Sequence, residues 1–229
     1  YLIMKNDFKN ILKKHAKSFY CAGLLLEKQA LNDATILYAF CRQLDDAADN
    51  YDPDKTNELK NLIQDYRQPI SLNSVNQSFK KIQIKYGLKQ KFIDDLILGV
   101  SSDTNFKQPK NLQELLLYSY QVAGTVGALM TRVLGAHHHN AERFAIDLGI
   151  GMQLTNISRD IKEDSLNNRI YIPRDMLPND CSLGNILNDR NKECIFNATN
   201  QILNIAERYY QSGIDGIYFI PHKNRFSIL

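Results

Sequence analysis

The sequence predicts an all-α fold, and three observations carry that expectation. Only 11 Gly and 6 Pro among 229 residues leave little material for the turns that many short strands require. The six prolines, Pro53, Pro69, Pro109, Pro173, Pro178 and Pro221, punctuate the chain between periodic stretches, as expected when helix interiors exclude proline. Between them apolar residues recur at spacings of three and four, and no alternating apolar and polar run is long enough to argue for a sheet.

In chain order, Lys9, Lys13, Lys14 and Lys17 fall at near-helical spacing. Ile36, Leu37, Phe40 and Leu44 form one apolar stripe, with Asn32 or Asp33 placed to cap its helix. Phe92, Ile93, Leu96, Ile97 and Val100 form a second stripe. Asn111 followed by Glu114 resembles a capping box and opens a helical segment running through Leu134. Gly124 and Gly127 inside that segment cost about 1 kcal/mol each relative to Ala, so they serve a kink, a substrate approaching the backbone, or close helix packing. Ile202, Ile205, Ala206 and Tyr209 form a last stripe, with Tyr209 and Tyr210 expected in the core or a cavity wall. About eight to ten helices result, with no interdomain linker, so residues 1–229 read as one helical bundle.

Bulk properties narrow the function. Apolar residues make up 44% and charged residues 23%, a globular composition. Twenty-eight basic against 25 acidic residues give +3, too balanced for a nucleic-acid binder that relies on phosphate neutralisation. No apolar stretch approaches the ~20 residues of a membrane-spanning helix, and no signal-peptide pattern is present, so a cytoplasmic setting is expected. The basic stripe at Lys9, Lys13 and Lys17 reads as a solvated face, with peripheral contact to an anionic membrane as the alternative. Cys21, Cys41, Cys181 and Cys194 lack CxxC spacing and read as reduced thiols. His137, His138 and His139 read as a solvated loop, because adjacent side chains diverge on a helix. The chain opens on Tyr1 and closes on Ser227, Ile228 and Leu229, where an apolar pattern is only starting, so a fragment is expected.

Two acidic motifs carry the chemistry. In the first, Asp45 and Asp49 lie four residues apart, one helical turn or about 6 Å along the axis, with Arg42 one turn earlier and Asp46 beside them. Like charges at this spacing are destabilising, so the motif is either a solvated acidic helix end or a ligand site. In the second, Gln153, Asn156, Asp160 and Asp164 follow i, i+3, i+7, i+11, a polar line of about three turns flanked by Arg159 and Arg169. Such a line starts in the small, apolar stretch Gly149–Met152 and needs partners if buried. A hard cation suits it: Mg²⁺ takes oxygen ligands and is usually held by one or two carboxylates together with substrate phosphates. No GxxxxGK or GxGxxG motif is present, so a nucleotide is not the expected phosphate carrier.

With these residues in view, the chain resembles the squalene/phytoene synthase family of head-to-head prenyltransferases, from about His15 to Phe226. The resemblance is carried by His15–Tyr20 (HAKSFY), Tyr38–Asp49 (YAFCRQLDDAAD), Tyr118–Gly127 (YSYQVAGTVG), Gln153–Asp164 (QLTNISRDIKED) and Asn168–Pro173. It implies an isoprenoid synthase fold with a central cavity and aspartates at its mouth. It also implies condensation of two identical prenyl diphosphates by 1'-1 coupling through a cyclopropyl intermediate. Carried over by position, Asp45, Asp49, Asp160 and Asp164 would be metal ligands, with Asn156 and Asp46 assisting. His15, Ser18, Arg42, Arg159 and Arg169 would hold diphosphates, and Phe19, Tyr38, Tyr120, Gln153 and Tyr171 would border the reacting carbons or the leaving group. Mg²⁺ is the implied cofactor, with Mn²⁺ as a substitute, and NADPH only for a squalene synthase. Phytoene from geranylgeranyl diphosphate is the preferred product, with squalene or dehydrosqualene from farnesyl diphosphate as the alternative. A non-catalytic assembly or scaffold protein of the same fold competes, although such relatives tend to lose the paired aspartates kept here. Ala16 departs from the second Ser that many relatives carry. Relatives also continue past a segment like Arg225 and Phe226, so the chain is expected to lack its last helices.

Overall fold

The computed structural model describes residues 25–49 and 57–225. Among these residues the regular structure is entirely helical, and none of the helices is long and apolar enough to cross a membrane. His15, Ser18, Phe19, Cys21 and the basic stripe lie outside the described residues.

Helix α1, Lys28–Ala48, runs 21 residues without Gly or Pro and buries Leu37, Phe40 and Leu44. It starts earlier than a cap at Asn32 or Asp33 predicts. Asp33 lies inside the helix and is nearly fully buried, its carboxylate accepting from Lys85 Nζ at 2.6 Å and Tyr86 Oη at 2.7 Å. These partners, more than fifty residues away in sequence, satisfy the side chain and remove the reason for it to cap.

Helices α2 (Glu58–Arg67) and α3 (Ser74–Tyr86) pack on α1, where Phe40 stacks on Phe79 with ring centroids 3.7 Å apart. Asn73 caps α3 by accepting from the N–H groups of Val75 and Asn76, and Gly87 ends it at φ 59°, the left-handed conformation glycine adopts without penalty. Helix α4, Gln90–Ser102, buries the whole predicted stripe from Phe92 to Val100. One 3₁₀ turn, Asp103–Asn105, follows it.

The segment from Asn111 begins as predicted. Asn111 accepts from the Glu114 N–H, and the Glu114 side chain reaches back to the N–H of Lys110. It is not one helix, however. Helix α5 (Leu112–Ser119) passes into a π-helical turn, Tyr120–Gly124, before α6 (Thr125–Val133). Single π turns inside α-helices recur at functional sites. Close packing accounts for Gly127: a Cβ there would stand 2.1 Å from the carbonyl oxygen of Ala145 on α7 (Ala141–Arg159). Gly149 repeats the device, its hypothetical Cβ 2.4 Å from the Ala123 carbonyl oxygen.

Helix α7 is central, packed against α6, the π turn and α9 (Lys192–Asp215). Between α7 and α9 lie α8 (Ile161–Leu166) and an irregular stretch; α10 (His222–Arg225) follows α9. One apolar core joins α1–α4 with α6, a second joins α5, α7, residues 170–172 and α9, and Ile146 of α7 contacts both. Ile202 and Ala206 of the last stripe are buried in the second core, with Ile205, Tyr209 and Tyr210 packed at its margin. His137, His138 and His139 are exposed in the loop before α7, and Cys41, Cys181 and Cys194 are free thiols.

Candidate active site

The first motif occupies the last turns of α1. Tyr38, Arg42 and Asp45 are half-buried, Asp46 and Asp49 exposed. Arg42 pairs with Asp46 at 2.6 Å, one turn on. Asp49 caps the helix, its N–H donating to the Asp45 carbonyl. A helix C-terminus disfavours negative charge, and α1 carries no basic residue in its last turn, so compensation must come from elsewhere in the fold.

It comes from Arg169. The guanidinium, nearly fully buried, donates through Nη1 to Asp49 Oδ1 at 2.6 Å and through Nη2 to the Asp103 carbonyl at 3.3 Å. Its own N–H donates to the Asp164 carbonyl at 2.9 Å. Arg169 therefore bridges the two motifs, 120 residues apart in sequence. The turn that delivers it passes through Asn168 at φ 59°, a left-handed conformation that Asn tolerates better than most side chains.

The second motif departs from the continuous helical line. Helix α7 ends at Arg159, and Asp160 sits at φ −99°, ψ 14° before α8 resumes at Ile161. Turn-to-turn hydrogen bonds survive the break, Asp160 N–H to Asn156 carbonyl at 2.9 Å and Asp164 N–H to Asp160 carbonyl at 2.8 Å, so the polar residues remain successive. Gln153, Asn156, Asp160 and Asp164 are half-buried. Arg159, exposed, grips Asp160 with two bonds of 2.7 Å.

Electrostatics tie the motifs together. Burial pushes the Asp45 carboxyl up to about 7; Arg42 opposes the rise, and Asp49, Asp103 and Asp46 add to it. Burial likewise pushes Asp164 up to about 6, with Asp160 adding, Arg169 opposing, and Glu163 and Asp103 adding further. Asp103 is raised by burial despite donors from Tyr118 and Tyr171. Carboxylates from α1, the turn after α4, and α8 thus repel one another across a single region.

Among the described residues, no group of three or more His, Cys, Asp or Glu side chains lies close enough to enclose a metal ion. The donor set nonetheless suits a hard cation: it is all oxygen, and its crowded charge is what a cation relieves. Mg²⁺ held by one or two carboxylates and completed by substrate phosphates needs no three-residue cage.

Two of the predicted aromatic residues, Tyr120 and Tyr171, are positioned by acids outside the two motifs. Tyr120, in the π turn, donates to Asp95 at 2.6 Å. Tyr171 is buried, its hydroxyl donating to Asp103 at 2.9 Å while its ring stacks on Tyr118. Asp95 and Asp103 stand outside the acidic motifs, and nothing in their local spacing marks them.

A family model described as "Squalene/phytoene synthase" matches residues 12–229. The chain belongs to the squalene/phytoene synthase family. Its members are prenyltransferases, and head-to-head condensation of prenyl diphosphates is the reaction that family membership carries. The chain is 27% identical to a 15-cis-phytoene synthase of Enterobacter agglomerans, over 93% of this chain and 77% of that protein. It is 33% identical to a bifunctional lycopene cyclase/phytoene synthase of Phycomyces blakesleeanus, over 73% of this chain and 33% of that protein. Among solved structures, a dehydrosqualene synthase superposes with a TM-score of 0.83 at 25% identity, covering 97% of this chain and 80% of the other. A squalene synthase from Alicyclobacillus acidocaldarius superposes with a TM-score of 0.85 at 19% identity, covering 97% and 86%, which establishes the isoprenoid synthase fold.

Proposed function

We propose that the protein joins two molecules of geranylgeranyl diphosphate head to head, through a cyclopropyl diphosphate, to give phytoene. The observation that carries this reading is the meeting of the two aspartate motifs at Arg169, which binds Asp49 of the first while anchored to Asp164 of the second. Each half of the reaction expels one diphosphate and one proton, the first on closing the cyclopropane ring and the second on forming the hydrocarbon. A diphosphate leaves only when its developing charge is neutralised. Asp45, Asp49, Asn156, Asp160 and Asp164 would hold Mg²⁺, which supplies Lewis-acid stabilisation of the departing diphosphate.

The chain's own residues do the rest. Arg169, beside Asp49, is placed to exchange its carboxylate partner for a phosphate oxygen, and Arg42 and Arg159 present further guanidinium groups beside the motifs. Gln153, half-buried on α7, can donate to the leaving group. The faces of Tyr38, Tyr120 and Tyr171 can shield and stabilise an allylic cation through their ring quadrupoles without attacking it. Their hydroxyls stay protonated at neutral pH, because burial raises all three. An oxygen of the departed diphosphate can then take the proton in each half. His15, Ser18 and Phe19 complete the proposed substrate contacts.

The preference for phytoene rests on the names of relatives 26–28% identical to the chain, which are phytoene synthases. Purified protein with labelled C15 and C20 diphosphates and Mg²⁺ tests it. A C40 hydrocarbon from the C20 substrate, without NADPH, is the expected result. A C30 product from the C15 substrate alone replaces phytoene with a squalene-type product, and no apolar product from either refutes the enzymatic reading. Asp49→Asn and Asp160→Asn are expected to keep the fold and lose turnover; unchanged cellular function in those variants favours a scaffold.

A further inference from the structure

Asp103 belongs to neither acidic motif, yet it accepts hydrogen bonds from three residues on two other segments of the candidate site. It opens the 3₁₀ turn after α4. Its Oδ2 accepts from the Tyr118 hydroxyl and its Oδ1 from the Tyr171 hydroxyl, each at 2.9 Å, and its carbonyl accepts from Arg169 Nη2 at 3.3 Å. One residue therefore holds α5 through Tyr118 and both functional side chains of the 169–171 stretch. The two rings reinforce the arrangement: Tyr118 stacks on Tyr171 at 5.0 Å, and Phe106 meets Tyr171 edge-on at 4.9 Å.

The consequence concerns Arg169. A free arginine side chain carries about 2 kcal/mol of rotamer entropy, so a guanidinium that must meet a phosphate gains from being fixed beforehand. Its bond to Asp49 cannot do this alone, because Asp49 is the group proposed to turn toward the metal. The Asp103 carbonyl contact is independent of that exchange, and the Asp103 carboxylate fixes the neighbouring Tyr171.

We propose that Asp103 is a positioning residue of the diphosphate site, keeping Arg169 and Tyr171 aligned with Asp49 when Asp49 gives up its arginine. This rests on the diphosphate reading above. Asn at 103 has the same shape but only one oxygen, so one tyrosine hydroxyl would face an amide donor.

The test measures binding of Mg²⁺ with inorganic pyrophosphate by calorimetry, beside turnover of the C15 and C20 diphosphates, on the full chain. Variants are Asp103→Asn, Tyr171→Phe and their combination. For Asp103→Asn, pyrophosphate affinity is expected to fall and KM to rise, both about tenfold, with kcat within about threefold and a melting temperature within a few degrees. In the double variant the losses are expected to fall short of the product of the single losses, because both changes act on the carboxylate–tyrosine cluster around Asp103. Wild-type affinity and KM in Asp103→Asn, or losses that multiply in the double variant, overturn the proposal. Should Asp103→Asn fail to fold, Tyr118→Phe/Tyr171→Phe removes both donors and keeps the carboxylate; a wild-type KM there also overturns it. If the unmodified chain binds pyrophosphate, loses affinity on Asp103→Asn, and yields no product, the positioning role stands and the condensation reading falls. No pyrophosphate binding by the unmodified chain overturns both.

Discussion

Replacing Asp45 by Asn is expected to stabilise the metal-free protein while abolishing its activity. The carboxyl is held at about 7 instead of its ordinary 3.8. At 1.36 kcal/mol per pH unit this corresponds to about 4 kcal/mol against the ionised form. Asp45 is only half-buried, so solvent screening reduces the figure, and about 2 kcal/mol is a reasonable expectation. In a protein of this size that is about 4–8 °C in melting temperature. The sign follows from linkage. Between pH 4 and 7 the folded chain keeps a proton on Asp45 that the unfolded chain has lost, so stability declines as pH rises through that window. The penalty is complete above pH 7 and absent below the unfolded value. Calorimetric melts of both proteins at pH 4, 6 and 8, with and without Mg²⁺ and pyrophosphate, read the effect. The variant should melt higher at pH 8, with the gap closing at pH 4, and should gain less from added Mg²⁺ and pyrophosphate. A variant that melts lower at pH 8, or a gap independent of pH, refutes the reasoning.

Three further outcomes are expected. Arg169→Lys keeps the charge but cannot reach Asp49 and the Asp103 carbonyl together, so KM for prenyl diphosphate should rise at least about tenfold in steady-state assays. Gly127→Ala forces α6 from α7, because the obstructing atom is the Ala145 carbonyl oxygen; a loss of about 2 kcal/mol or more is expected by denaturant unfolding. Asp65 accepts from Ser71, Asn76 and the N–H groups of Leu72 and Asn73, which outweigh desolvation and hold it down at about 2. Asp65→Asn should therefore cost about 1 kcal/mol at pH 7, and the difference from the unmodified chain should vanish as pH falls from about 4 to 2.

Which parts of the site were legible follows from where their information resides. Asp45 and Asp49, or Asn156 and Asp160, share a face because helical geometry relates residues three and four apart, and that relation is visible in the sequence. Asp103 was not legible: its bonds to Arg169 and Tyr171 span 66 and 68 residues, and its neighbours Ser102, Thr104 and Asn105 look like any helix end. Asp95 was hidden in the same way, since its partner Tyr120 lies on another element. The break at Asp160 was missed because the i, i+3, i+7, i+11 spacing persists through it, and only the dihedral angles record the turn. The π turn at Tyr120–Gly124 was foreshadowed by Gly124, but whether glycine there meant a bend or close packing depended on what stood opposite.

By itself, then, the sequence determined the helical class, the apolar faces, the two aspartate motifs and the family, because each is encoded in local periodicity or in residue order. Tertiary structure alone decided that the charge at the end of α1 is answered by Arg169, that Asp103 ties Tyr118, Tyr171 and Arg169 together, and that Asp33 is a buried anchor instead of a cap. The physical reason is common to all three. A charged group's energy depends on every charge and dipole within a few ångströms, and the fold supplies those neighbours from segments that are distant in sequence.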